Sequence, residues 1–399
     1  MRETRAWVLH RGERQREGQA VPGALVEEPF SFPEPGPEDV VAEPIYGCWE
    51  GNMGHALQRV PVDICRLRRE DKVVLGNAGV VRVLETGSAV TRVRPGDHCL
   101  VFCNAEPDEH GYPVKVLAYD ATRTMGLLAR QTRLSQHVLI PLPRQGRHSL
   151  KQWAAFSLRY ITAWSNWRLA WGCFRLQVSE SDCPVPFVVG WGGGVAYAQL
   201  RLARFAGCRV AMVTSQEERL RHLESVGIIP IDRREFPDLH LDAARFTADA
   251  DYRQRYTHSE KRFLACVKEA GRGQDVSIFL DHIGGPLLQA SLKALGREGV
   301  ITSAGWKLGA DLMDLSRSTE CTKRHQHINT HYARYSEAVA AVGFAEESGW
   351  LPPVDDERVY AWDEVPRLAQ DVEEGRVASY FPLYQVNPEQ RVHDSREAA

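Results

Sequence analysis

The chain has 399 residues, 43% hydrophobic and 25% charged, which is ordinary soluble composition with enough apolar material for two cores. Its net charge is only −3, and its arginines are scattered among acidic residues, so a polyphosphate partner such as nucleic acid is not expected. No apolar run approaches the ~20 residues that cross a bilayer, and the opening MRETRAWVLHRGERQ is too broken by charge for a signal peptide.

Up to about Gln152 the chain reads as short strands separated by turns. Val40 to Glu43, Lys72 to Leu75, Val80 to Leu84 and Cys99 to Cys103 are the strand-like runs, and Pro35-Gly36 and Pro95-Gly96 punctuate them. This is an all-β pattern, a small barrel or sandwich. Nine cysteines stand apart with no C-x-x-C pair, which predicts reduced, mostly buried thiols in a cytoplasmic protein and argues against a four-cysteine zinc lobe.

Beyond Gln152 strands and helices alternate. Pro186 to Val189 is an apolar run that leads into Gly190-Trp191-Gly192-Gly193-Gly194. Val195, Ala198, Leu202 and Phe205 then share one face of a helix. Arg209 to Val213 is a second strand, Gln216 to Val226 a helix and Ile228 to Ile231 a third strand. The polar stretch from Leu239 to Tyr256 reads as an insertion or surface helix. Val276 to Leu280 and Val300 to Ser303, with a helix on Leu288, Leu292 and Leu295 between them, close the series. Such alternation predicts a doubly wound parallel sheet. A helix over Ala338 to Glu347, another opening near Asp363, and a last strand over Tyr380 to Val386 follow.

The glycine cluster lies between a strand and a helix, where bare backbone amides and a helix N-terminus suit a pyrophosphate. Gly190, Trp191, Gly192, Gly193, Gly194 and Val195 are therefore candidate dinucleotide contacts. Past the second strand the chain has Thr214-Ser215-Gln216 in place of an acidic residue, with Arg219 close behind. Ser215 and Arg219 suit the 2′-phosphate of NADPH, while Glu217 and Glu218 leave NAD open and Arg219 also reads as a solvated helix residue. Glu50, flanked by Trp49 and Gly51 after a strand, is either a general acid–base or an exposed turn residue.

The segments Leu75 to Val81 and Gly87 to Asp97, together with the Gly193-Gly194-Val195 turn, resemble the medium-chain dehydrogenase/reductase superfamily over nearly the whole chain. Phe102-Cys103-Asn104, Ala118-Tyr119-Asp120 and Asn329-Thr330-His331-Tyr332 look like its crotonyl-CoA carboxylase/reductase branch. The resemblance implies a GroES-like β-barrel catalytic domain over residues 1–154, a Rossmann domain over 155–335 and a C-terminal return to the first domain over 336–399. Zinc members carry Gly-His-Glu where this chain has Gly76-Asn77-Ala78. Cys48 falls where a first zinc cysteine would stand, and His325, His327 and His331 form no recognisable ligand set, so no metal is expected.

By the same resemblance His331 and Asp120 fall near positions that organise the enolate's surroundings, and Thr162 near the nicotinamide. Asn52 lies close to, but shifted from, an asparagine of the carboxylating members. The implied activity is NADPH-dependent reduction of an α,β-unsaturated acyl thioester or related enone in biosynthesis, on a small-molecule or carrier-bound acyl substrate, by a homodimer. Two alternatives stand beside it: a ketone, imine or quinone reductase (or reductive cyclase) of the same fold, and a redox-silent binding protein whose nucleotide site Trp191 has reshaped.

Overall fold

A computed structural model describes residues 1–13, 21–144, 146–305 and 322–389; Cys321 lies outside them. The chain divides into two compact units. The first takes Met1–Leu158, Leu351–Val377 and the residues from Phe381 on; the second takes Arg159–Trp350 with Ala378–Tyr380. No helix among the described residues is long and apolar enough to cross a membrane.

The first unit opens with strands β1 (Arg2–His10), β2 (Leu25–Phe32) and β3 (Asp39–Cys48), then helices α1 (Gly51–Gln58) and α2 (Ile64–Arg68). Strands β4 (Lys72–Val74), β5 (Gly79–Thr86), β6 (His98–Val101), β7 (Asn104–Pro107), β8 (Pro113–Val116), β9 (Thr132–Ser135) and β10 (Leu139–Pro141) lead to helix α3 (Leu150–Phe156). A three-stranded sheet has the order β2-β1-β4. The larger sheet is built on β3, which pairs antiparallel with β5 along one side and with β9 near its start. Val40, Ala42, Val81 and Val83 alternate into its core, as period-two patterning requires.

In the second unit helix α4 (Arg159–Gln177) precedes β11 (Phe187–Trp191), α5 (Gly194–Phe205), β12 (Arg209–Thr214), α6 (Glu217–Ser225) and β13 (Ile229–Asp232). Helices α7 (Ala243–Ala248) and α8 (Ala250–Ala270) lead to β14 (Val276–Asp281), α9 (Leu288–Ala294), β15 (Leu295–Ser303), β16 (Gln326–Asn329) and α10 (Tyr335–Ser348). The sheet order is β13-β12-β11-β14-β15-β16, every pair parallel. Order reverses beside β11, the switch point at which open α/β sheets take ligands.

Several elements differ from the sequence reading. The parallel series does not close at Ser303: β16 adds a sixth strand at the sheet edge. Its sequence, Gln326-His327-Ile328-Asn329, is half-buried and has no apolar alternation to announce it. The polar stretch after Leu239 is the start of α7 and of the 21-residue α8, which buries Tyr256, Phe263 and Val267 against the sheet core. On α5 the buried surface is wider than one stripe and includes Ala196, Tyr197, Gln199 and Leu200, while Phe205 is exposed. Helix α10 packs on α4 and belongs to the second unit, so the return to the first unit begins at Leu351. That return supplies β17 (Val359–Tyr360), α11 (Val365–Glu373) and β18 (Leu383–Gln385), and β18 pairs antiparallel with β3.

Trp191 is the last residue of β11 and is 1% exposed. Its ring stacks on Phe263 of α8 at 5.0 Å between centroids and meets Phe279 of β14 at 5.3 Å. The indole is thus core packing, with only its backbone at the glycine turn. Trp191→Ala should cost about 3–5 kcal/mol of unfolding free energy, read from denaturant midpoints, while Trp191→Phe should cost far less. A tryptophan whose truncation left stability unchanged would not be the core residue described.

Candidate functional site

The glycine turn follows from local geometry. Gly192 has φ +125°, and a Cβ there would stand 3.1 Å from the Cβ of His282, so the turn closes only on glycine. Gly193 is exposed and a Cβ on it would meet nothing, which leaves open space over the backbone. Gly194 begins the 12-residue α5, and Val195, half-buried, follows it. Unpaired amides of a first helical turn and its dipole make this place favourable for a phosphate. These residues fit the pyrophosphate of a dinucleotide. A surface cavity of about 480 Å³ beside Arg201, Arg204 and Gly227 lies at the other end of α5 and is separate from the turn.

At the end of the neighbouring β12, Ser215 is exposed. Arg219 is placed differently from the sequence reading. It donates to the carbonyls of Ala378 at 2.7 Å and Ser379 at 3.3 Å, and its guanidinium lies 4.5 Å over the Tyr380 ring. Tyr380 in turn stacks on Tyr197 of α5 at 5.1 Å. This cation therefore anchors the 378–380 segment within the second unit, a partner far away in sequence. His331 is exposed, two residues past the end of β16. Thr162 is buried inside α4.

Sequence reasoning missed a buried polar chain behind the strand ends. His282, directly after β14, has its Nε2 2.6 Å from Gln199 Oε1, and its Nδ1 accepts the Ala304 N–H at 3.1 Å. Gln199 Nε2 donates to Asn166 Oδ1 at 2.5 Å, which also accepts from the Thr302 hydroxyl at 2.9 Å. Asn166 Nδ2 donates to the Thr330 hydroxyl and the Ser303 carbonyl. Beside it, Asp281 accepts from the N–H groups of Ile283 and Gly284 and from the Ser291 hydroxyl, while burial pushes its carboxyl up. Nothing in the residue types alone singles these out, because polar residues on helices usually face water.

In the first unit Glu50 is buried, 4% exposed, at the N-cap of α1, so the exposed-turn reading of it does not hold. Asn52 sits in the first turn of the same helix, half-buried, and its Oδ1 has no hydrogen-bond partner among the described residues. Asp120 is elsewhere, closing its own turn by accepting the Val116 N–H at 2.6 Å. The Cys48 N–H donates to the Ala78 carbonyl, which brings Cys48 beside Asn77-Ala78. Asn77 is 1% exposed with an unpartnered Oδ1. One thiol beside an amide and a methyl group does not fit a zinc ion.

Tyr384 of β18, fully buried, also has no partner for its hydroxyl among the described residues. The side chain occupies the space that a Cβ on Gly47 would take, and its hydroxyl lies 2.9 Å from where the Gly76 Cβ would be. Burial, then the nearby Cys48 and Glu50, push its phenol well above the ordinary tyrosine range. The first unit thus gathers Glu50, Cys48 and Tyr384, a cluster that only the β3–β18 pairing reveals.

No protein-family model matches the chain. The chain has the fold of the crotonyl-CoA carboxylase/reductases, and with them of the medium-chain dehydrogenase/reductases: the crotonyl-CoA carboxylase/reductase AntE, solved in complex with NADP, matches with a TM-score of 0.79 at 22% identity, over 97% of this chain and 96% of that one. In sequence it resembles the crotonyl-CoA reductase of Streptomyces collinus, 24% identical over 309 residues, 74% of this chain and 63% of the relative. It also resembles the acryloyl-coenzyme A reductase of Metallosphaera sedula, 24% identical over 247 residues, 60% of this chain and 61% of the relative. The matched part spans less than two thirds of each of these two relatives.

The half-buried His282 has a testable signature. Burial lowers its pKa from 6.5 to about 4, so the folded protein keeps it neutral where the unfolded chain takes up a proton. Stability from this group is therefore whole above pH 6.5 and falls as pH drops towards about 4, by about 3 kcal/mol in all. Denaturant unfolding across that window should show a steeper fall for the wild type than for His282→Asn. Parallel curves would mean that the imidazole is not held neutral in the fold.

Proposed function

We propose that the protein is an NADPH-dependent reductase of an α,β-unsaturated acyl thioester. The observation that carries this reading is the bare glycine turn at the head of α5, beside the switch point of a parallel sheet and clear of the Trp191 indole. The likeness to reductases of acyl-CoA thioesters, and to a neighbour solved with NADP, supports the substrate and cofactor classes.

Gly192, Gly193, Gly194 and Val195 would hold the pyrophosphate through backbone amides, and the exposed Ser215 would meet the 2′-phosphate at the end of β12. When bound, NADPH supplies a hydride for the β-carbon of the thioester. Charge then develops on the thioester oxygen, and the enolate has to be protonated at its α-carbon. Glu50 is the group proposed to deliver that proton, as a buried carboxyl at the head of α1. His331 is proposed as a hydrogen-bond donor to the acyl group, and Asp120 is left with its turn.

Titration with NADPH and with NADH, followed by nicotinamide fluorescence, tests the reading first, and NADPH consumption with crotonyl-CoA tests it second. Saturable binding and thioester-dependent oxidation are the expected results. Binding of neither nucleotide would leave the redox-silent alternative, and consumption only with quinones would move the chemistry to another acceptor. Glu50→Gln should lower kcat about 100-fold with little change in KM, because an amide cannot donate the proton. Ser215→Asp should shift preference towards NADH by about tenfold or more, measured as the ratio of the two dissociation constants.

A further inference from the structure

We infer that Asn166, Gln199 and His282 form a polar spine that positions the nicotinamide half of the bound dinucleotide, acting through the strand ends at Ala304 and Thr330. The inference rests on the dinucleotide reading above and deepens it.

The bonding pattern leaves no freedom. Asn166 and Gln199 are fully buried, so their amides can be satisfied only by one another and by their neighbours. The Ala304 N–H points at His282 Nδ1, so the proton of the neutral ring is on Nε2 and is donated to Gln199 Oε1. Gln199 must then present its NH₂ to Asn166 Oδ1. Asn166, with its oxygen so used, turns its own NH₂ to the Ser303 carbonyl and the Thr330 hydroxyl, at 3.1 and 2.8 Å. Each orientation determines the next from β14 through α5 and α4 to the ends of β15 and β16. The backbone adds to it: the Thr330 N–H donates to the Ser303 carbonyl and the Gly305 N–H to the Ser303 hydroxyl.

A fold that needed only stability at this place would use apolar side chains, since a buried polar chain gains little net free energy and fails badly if one member is lost. What the chain does supply is a fixed backbone at the sheet's upper edge. The location says which ligand half it serves. Ser215, at the end of β12, marks the adenosine side of the turn; a dinucleotide crossing the turn runs on over β14 and β15. His282 lies against the turn at Gly192, and Thr330 immediately precedes the exposed His331. The spine therefore begins under the pyrophosphate and ends at a residue proposed to face the acyl group. All three residues act through backbone they hold, and are positioning residues.

The test compares dissociation constants for NADPH and for adenosine 2′,5′-bisphosphate, which carries only the adenosine half. Gln199→Leu cuts the link between His282 and Asn166, and Thr330→Val removes a single hydroxyl at a half-buried site, so it reports even if the first variant fails to fold. For Gln199→Leu, NADPH should weaken about fivefold or more while the bisphosphate stays within about twofold of wild type. Thr330→Val should show the same selectivity at smaller size. Equal loss for both ligands in a folded variant would mean a merely structural network, and no loss of NADPH affinity in either variant would overturn the spine directly. Wild-type protein that binds neither ligand would instead overturn the dinucleotide reading on which the spine rests.

Discussion

All six described strands of the second unit's sheet run in the same direction, and this one constraint decides what the candidate site is made of. Parallel strands deliver their C-terminal ends to a common edge, so the glycine turn, Ser215, His282, Ala304 and Thr330 meet there although they are spread along the chain. Alternation along β11 has a second effect. It sends the Trp191 indole towards Phe263 and Phe279 and leaves the following glycines bare. A tryptophan beside a pyrophosphate turn looks obstructive when written in a line. In the pleat it is directed away.

The Asn166 network and the Tyr384 cluster handle buried polarity in different ways. In the second unit the Asn166 network is closed, with both functions of each amide paired. In the β unit, the Tyr384 hydroxyl, Asn77 Oδ1 and Asn52 Oδ1 lack protein partners among the described residues. A phenylalanine would fill the space between Gly47 and Gly76 without an unsatisfied hydroxyl, whose burial costs about 1–3 kcal/mol. Such departures from best packing concentrate at working sites, because the group is kept for what it does to a ligand. The Asn166 network spends its polar groups on one another and on backbone, whereas the cluster near Tyr384 keeps atoms unpaired among the described residues.

Arg219 shows how one residue can be read two ways. Its position after a strand end suits a phosphate, yet its guanidinium holds two carbonyls of the 378–380 segment and lies over an aromatic ring. A planar cation with several donors suits that task as well as phosphate recognition. Ser215 stays exposed at the end of β12, with Glu217 and Glu218 opening the helix that follows.

The sequence by itself determined the alternation of strands and helices, the doubly wound sheet, the glycine turn and the neutral end of β12. All of these rest on periodicity and on residues adjacent in the chain, which a linear pattern preserves. Edge strand β16 escaped because its half-buried residues carry no apolar alternation. Helix α8 was obscured because its polar face dominates its opening residues, while the aromatic face is buried. Only the tertiary structure decided that Trp191 faces the core, that Arg219 grips the returning chain, that Glu50 is buried near Tyr384, and that Asn166, Gln199 and His282 form one network. Each of those facts depends on a partner from a different element, and hydrogen bonds between distant residues leave no periodic trace in the chain.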